Sequence, residues 1–216
     1  MSSRKKTSRT GLELPAGACV FEGLLTTVEQ RDLYAEIERL VESAPFYVPS
    51  MPGSGKPLSV EMTNCGVLGW VADKSGYRYQ RTHPFTGQPW PAMPAMLLAL
   101  WNELAAAPVP PEACLVNRYR GKAKLGSHVD SDEQAPEAAI VSVSLGDDAV
   151  FHIGGTKRSD AKARVVLRSG DVVVMGGPAR LAYHGIDRVL AGTSELVPGG
   201  GRINLTMRRV TPVKAA

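Results

Sequence analysis

Within the run from Lys124 to Glu133, His128 and Asp130 are separated by a single residue. In an extended strand, side chains alternate with period two, so the spacing predicts an imidazole and a carboxylate on one side of a strand. Both are metal ligands. A second histidine would complete a 2-His-1-carboxylate facial triad, which leaves positions on iron open for co-substrate and oxygen. His184, after another strand-like run, is the candidate third ligand. An isolated H-x-D is a weak signal that four histidines and nine aspartates produce readily by chance.

The same period places Arg202, Asn204, Thr206 and Arg208 on one face of a strand near the C-terminus. Two guanidiniums projecting into a barrel are costly to bury without partners. They make sense around an anion, because arginine offers a two-pronged fork to a carboxylate. A dicarboxylate reaching from an arginine to a metal is what a 2-oxoglutarate-dependent oxygenase holds. The plain alternative is an edge strand with its polar face in water.

The elements that must position these residues are those of one large domain or two small ones. The chain has 216 residues, 44% hydrophobic and 21% charged, as expected of a globular protein. No apolar run reaches the ~18 residues of a membrane span. Basic residues near the N-terminus are followed by no apolar stretch, so no secretory signal is expected. Cys19, Cys65 and Cys114 are odd in number and form no C-x-x-C, which fits reduced thiols in a cytoplasmic protein. The net charge of +4 is accounted for by Arg4, Lys5, Lys6 and Arg9; the remaining 21 basic residues balance 21 acidic ones. Segment 1–12 therefore reads as a basic disordered tail. Clusters at Arg118–Lys124 and Lys157–Arg168 are either phosphate-attracting patches or solvated strand ends.

Along the chain, Ala18–Phe21 is a candidate strand. A helix starts after Thr26, with Glu29 completing a capping box and Leu33, Tyr34, Ile37, Leu40 and Val41 on one face, and it ends at Ala44-Pro45. From Pro49 to Pro94 the chain is rich in Gly, Pro and aromatic residues, with short strands such as Leu58–Thr63, a composition suited to a binding loop or lid. A second helix begins near Pro94, with proline at a first-turn position and Met96, Leu97, Leu100 and Leu104 on an apolar face. Beyond Ala113 the pattern is short strands: Cys114–Tyr119, Ile140–Leu145, Val150–Ile153, Arg164–Leu167, Val172–Met175 and Asn204–Arg209. The expected fold is α+β, mainly β, a sandwich or jelly roll with N-terminal helical support.

The order and spacing of His128-x-Asp130, His184 and Arg202-x-Asn204-x-Thr206-x-Arg208 resemble the AlkB family of Fe(II)/2-oxoglutarate-dependent dioxygenases, in its bacterial alkylated-DNA repair branch. The likeness extends to Met62–Gly66, Gly69-Trp70, Trp90–Pro94, Asn117–Tyr119, Ile140–Gly146, Gly154–Arg158 and Gly170–Val174. It implies a double-stranded β-helix core at 113–216 and, as one unit with it, helical support and a nucleotide-recognition lid at 13–112. It assigns Fe(II) to His128, Asp130 and His184. It assigns 2-oxoglutarate to Asn117, Tyr119, Arg202, Asn204, Thr206 and Arg208, with Arg202 at the distal carboxylate and Arg208 at the inner end. Trp70 and His128 would sandwich a flipped base, Met62 and Arg158 would line its pocket, Asp132 would face it, and Tyr77 and Arg78 would contact the strand. The implied activity is O2-dependent demethylation of bases such as 1-methyladenine and 3-methylcytosine in single- or double-stranded DNA, or in RNA, by a monomer, with release of formaldehyde. The chain departs from the family's familiar pattern at Val129, Ser131 and Met175.

Several residues are set aside on chemical grounds. His152 alternates with Phe151 and reads as a packed or surface imidazole. His83, in a Pro-rich loop, is expected to be solvated. Trp90 and Trp101 read as core aromatics, and Tyr79 as lid packing. Three functions remain open: a nucleic-acid oxygenase, an oxygenase acting on a small molecule or a protein side chain, and a non-catalytic nucleic-acid-binding module.

Overall fold

The computed structural model describes residues 14–107 and 109–212; the basic segment 1–12 lies outside them. The chain order is β1 (Ala18–Phe21), α1 (Thr27–Ser43), β2 (Glu61–Gly66), β3 (Gly69–Asp73), β4 (Gly76–Gln80), α2 (Ala95–Leu104) and β5 (Ala113–Tyr119). It continues with β6 (Leu125–His128), β7 (Ile140–Gly146), β8 (Asp148–Ile153), β9 (Ala163–Leu167), β10 (Val172–Met175), a 3-10 turn (Gly177–Ala179), β11 (His184–Leu190) and β12 (Arg202–Arg208).

Two antiparallel sheets make up a jelly roll. The larger runs β1-β10-β7-β12-β5-β2 and the smaller β6-β11-β8-β9. The larger sheet takes strands from both sides of position 112, so the N-terminal part and the β-rich part share one hydrogen-bonded surface. Strand alternation gives this sheet two faces. Cys114, Val116, Val141, Val143, Leu145, Leu205 and Met207 pack with Leu33, Ile37, Leu97, Leu100 and Trp101 of the two helices. The opposite face looks toward the smaller sheet and carries Leu115, Asn117, Tyr119, Ser142, Asn204 and Thr206 into the cavity between the two. Helix α1 begins as its sequence dictates: the Thr26 hydroxyl accepts from the Glu29 amide, and the Glu29 carboxylate accepts from the Thr26 amide at 2.8 Å.

Three features differ from the sequence expectations. In the lid region the strand expected at Leu58–Thr63 runs instead over Glu61–Gly66, and after it comes the hairpin β3–β4, whose turn leads into Gly76 at φ +134°. Strand β6 ends at His128, so Asp130 lies in the loop beyond rather than on the same strand. There Arg180 replaces ladder bonds by donating to the carbonyls of Asp130 and Ala138. His83 is buried, not solvated: Nε2 meets the Pro45 carbonyl at 2.8 Å, and Nδ1 accepts from the amides of Phe85 and Thr86. It pins the loop after β4 to the end of α1.

Candidate active site

His128 closes β6 and His184 opens β11, and the two face each other as a cross-strand pair with ring centroids 4.4 Å apart. Each Nδ1 lies 2.9 Å from a carbonyl two residues earlier, Gly126 for His128 and Ala182 for His184. A carbonyl only accepts, so Nδ1 carries the proton and the Nε2 lone pairs are left for a ligand. Both Nε2 atoms approach Asp130, His128 at 3.7 Å from Oδ1 and His184 at 3.9 Å from Oδ2. One ligand atom from each residue falls within 4.8 Å of the others, the only such cluster of three or more among the described residues.

The charges suit a divalent cation. Burial alone would raise the pKa of Asp130, but Arg208, His184 and His128 hold it well below the usual carboxylate range, so it is anionic. Burial pushes His184 down to about 4, so it is neutral near pH 7 and ready to coordinate.

Behind the triad lies a cavity of about 260 Å³. Arg202 is fully buried there, yet among the described residues its only side-chain hydrogen bond is Nη2 to Ser144 Oγ at 2.7 Å. Its Nε and Nη1 have no partner among the described residues, and neither does Asn117 Oδ1. A buried guanidinium with two idle donors fits the distal carboxylate of 2-oxoglutarate. Asn204 and Thr206 bond to each other and to Ser142 along the same wall, and the Tyr119 hydroxyl, its pKa pushed up to about 12 by burial, stays protonated as a donor. Arg208 is committed elsewhere. Its Nε and Nη2 reach Asp130 Oδ2 at 3.1 and 2.7 Å. It is therefore an orienter of the metal carboxylate in this state, rather than an open anion clamp.

At the mouth, Trp70 lies nearly parallel to Tyr77, with centroids 5.4 Å apart, and its indole N–H donates to Asp132 Oδ2 at 2.7 Å. Asn64 fixes the Trp70 backbone through both its amide nitrogen and its oxygen. Met62, Trp70, Tyr77 and Asp132 line the cavity together with the triad, Asn117, Tyr119, Arg202, Asn204, Thr206 and Arg208. Arg78 and Arg158 do not. Arg78 is held at the hairpin by Asp73 at 2.8 Å, and Arg158 lies over the Tyr183 ring at 5.1 Å. Three participants had gone unassigned in the sequence: Asn64, Glu133 and Arg180. The acidic run after Asp130 hinted at Glu133; nothing in sequence marked Arg180.

A family model of the 2OG-Fe(II) oxygenase superfamily matches residues 17–208. An α-ketoglutarate-dependent dioxygenase AlkB homolog of Caulobacter vibrioides is 49% identical over 213 residues, covering 95% of this chain and 96% of that protein. The chain belongs to the AlkB family of 2OG-Fe(II) oxygenases. The α-ketoglutarate-dependent dioxygenase AlkB of Escherichia coli K12 is 44% identical over 200 residues, covering 91% of each chain. The solved structure of OsALKBH1 superposes with a TM-score of 0.79 at 31% identity, over 91% of this chain and 98% of that one. Membership makes the chain an Fe(II)- and 2-oxoglutarate-dependent dioxygenase, and the histidine tautomers, the anionic Asp130 and the idle Arg202 donors fit both groups. No helix among the described residues is long and apolar enough to cross a membrane.

Proposed function

We propose that this AlkB-family enzyme removes N-linked alkyl groups from bases such as 1-methyladenine and 3-methylcytosine in DNA, with RNA as a second polymer. The observation that carries the proposal is the mouth of the cavity. Trp70 offers an aromatic face there, His128 lines the same cavity, and Asp132 supplies a carboxylate. Chemistry on a base requires it out of the stack, and an extruded base is held by stacking. A methyl on N1 of adenine or N3 of cytosine blocks pairing and adds positive charge. Extrusion of such a base costs less, and Asp132 favours the cation.

The remaining roles follow from placement. His128, Asp130 and His184 would hold Fe(II), while Arg202, with Asn117 and Tyr119 beside it, would hold 2-oxoglutarate. When bound, these groups supply O2-dependent hydroxylation of the methyl C–H bond. The apolar side chains of Met62, Leu115 and Phe151 exclude water from the reacting carbon. A hydroxylated N-methyl group is a hemiaminal and expels formaldehyde, restoring the base. Tyr77 would follow the strand. Arg78 would join it on leaving Asp73, and Arg158 would contribute from outside the cavity wall. The three cysteines are free, as a reducing compartment would keep them, and the enzyme is read as a cytoplasmic monomer.

The test is mass spectrometry of a 1-methyladenine oligonucleotide incubated with Fe(II), 2-oxoglutarate and ascorbate. Loss of one methyl mass with formaldehyde release is expected. Succinate formation without loss of the methyl would point instead to a small-molecule or protein substrate.

A further inference from the structure

The hairpin β3–β4 is fastened to the loop beyond the metal carboxylate at two neighbouring points. Trp70 and Tyr79 are direct cross-strand partners. Trp70 donates to Asp132, and the Tyr79 hydroxyl donates to Glu133, the next residue. Glu133 is almost wholly buried and also meets two arginines. Arg180 Nη2 donates to its Oε2 at 3.0 Å, and Arg208 Nε lies 3.4 Å from Oε1. Both arginines act on Asp130 in turn, Arg208 through the side chain and Arg180 through the carbonyl at 2.8 Å. An unbroken polar chain thus runs from the lid strand through Tyr79, Glu133 and Arg208 to the metal carboxylate.

We propose that Glu133 is a positioning residue that orients Arg208 on Asp130, and that Tyr79 couples lid engagement to the metal site through it. The coupling rests on the substrate reading above. Two features favour this role over a purely structural one. Glu133 is far more buried than a lone carboxylate tolerates, and all of its partners either contact Asp130 or belong to the lid. The donor from the lid also sits directly across the hairpin from Trp70, so a base that stacks on Trp70 bears on the strand pair that carries the Tyr79 bond. Two sites that bias one shared arrangement are linked reciprocally in affinity.

The experiment titrates Mn(II) into metal-free protein holding 2-oxoglutarate, with and without saturating 1-methyladenine oligonucleotide, and reads the ratio of the two metal affinities. In the wild type the ratio should differ from one by at least about fivefold, the low end of ordinary coupling between two sites. Tyr79→Phe, which removes only the hydroxyl, should bring the ratio close to one. Glu133→Gln keeps an acceptor for Tyr79 but loses the charge facing Arg208, and should weaken Mn(II) binding in both conditions. If Glu133→Gln does not fold, Tyr79→Phe decides alone. Mn(II) affinity unchanged in folded Glu133→Gln overturns the positioning role, and a wild-type ratio of one, or a ratio unchanged in Tyr79→Phe, overturns the coupling. Failure of the wild type to bind the oligonucleotide by fluorescence anisotropy overturns the substrate reading, and the coupling with it.

Discussion

Arg208 places two donors on a single oxygen of Asp130, Oδ2, which leaves Oδ1 facing His128 Nε2. A carboxylate occupied in this way on one oxygen is directed to bind metal through the other, as a facial triad requires. The arginine also depends on the carboxylate: burial would lower its pKa, and Asp130, Tyr79 and Glu133 more than offset that.

From this pair the first prediction follows. Replacing either His128 or Asp130 with Ala should abolish turnover, but the two variants should differ in stability. His128→Ala should leave the fold largely intact. Asp130→Ala strips a buried arginine of its main partner and should cost about 3–5 kcal/mol, the usual penalty for breaking a buried pair. Urea unfolding of the metal-free proteins checks it. Equal stability of the two would mean that Glu133 alone satisfies Arg208.

For the co-substrate, the decisive variant is Arg202→Lys, which keeps the charge and loses the fork. Apparent 2-oxoglutarate affinity should fall by about 1.5–3 kcal/mol, the range for a hydrogen bond to a charged group. Oligonucleotide affinity, read by fluorescence anisotropy, should be unchanged. The opposite pattern would make Arg202 a phosphate contact.

Recognition and chemistry separate at Trp70. Trp70→Ala should weaken binding of a methylated oligonucleotide by about 1–3 kcal/mol, the worth of one base–aromatic stack. Decarboxylation of 2-oxoglutarate in the absence of substrate should stay near the wild-type rate. Loss of both together would show that Trp70 supports the fold through Asn64 and Asp132 rather than the base.

The depressed pKa of His184 gives the metal-free protein a pH signature. Folded, the group titrates near 4 instead of 6.5. Below about pH 6.5 the unfolded chain therefore takes up a proton that the folded one refuses, and stability falls as pH drops toward 4. Asp130, whose pKa is also depressed, is ionised in both states between pH 7 and 5 and adds to the loss only below that. Between pH 7 and 5 the wild type should lose on the order of 2 kcal/mol more than His184→Asn. Denaturant titrations in the presence of a chelator measure the difference; parallel losses would place the imidazole in a more polar setting than the structure gives it.

Much of this was legible in the sequence because period-two alternation and capping are local signals. The strand Val172–Met175 and the cap at Thr26 with Glu29 emerge where local rules place them. The triad could be read as residue types, though not as geometry: Asp130 owes its position to Arg180, fifty residues away, rather than to the strand containing His128. Arg180 stayed hidden for the same reason, and the acidic run that hinted at Glu133 did not show its partner, since a buried ion pair between distant segments leaves no periodic trace. His83 looked solvated because its neighbours are prolines and polar residues, while its partner, the Pro45 carbonyl, comes from the end of a helix.

The two faces of the larger sheet also sort the protein's sulfur atoms by hazard. Cys65 and Cys114 are opposite one another on β2 and β5, sealed on the helix side. Met62 and Met175 line the cavity itself. An oxidant formed in the cavity and not spent on substrate meets thioethers first and is screened from the thiols by a layer of backbone. Self-inflicted damage would therefore accumulate as methionine sulfoxide, which reductases reverse, and would spare the thiols the sulfinic and sulfonic states that are hard to undo.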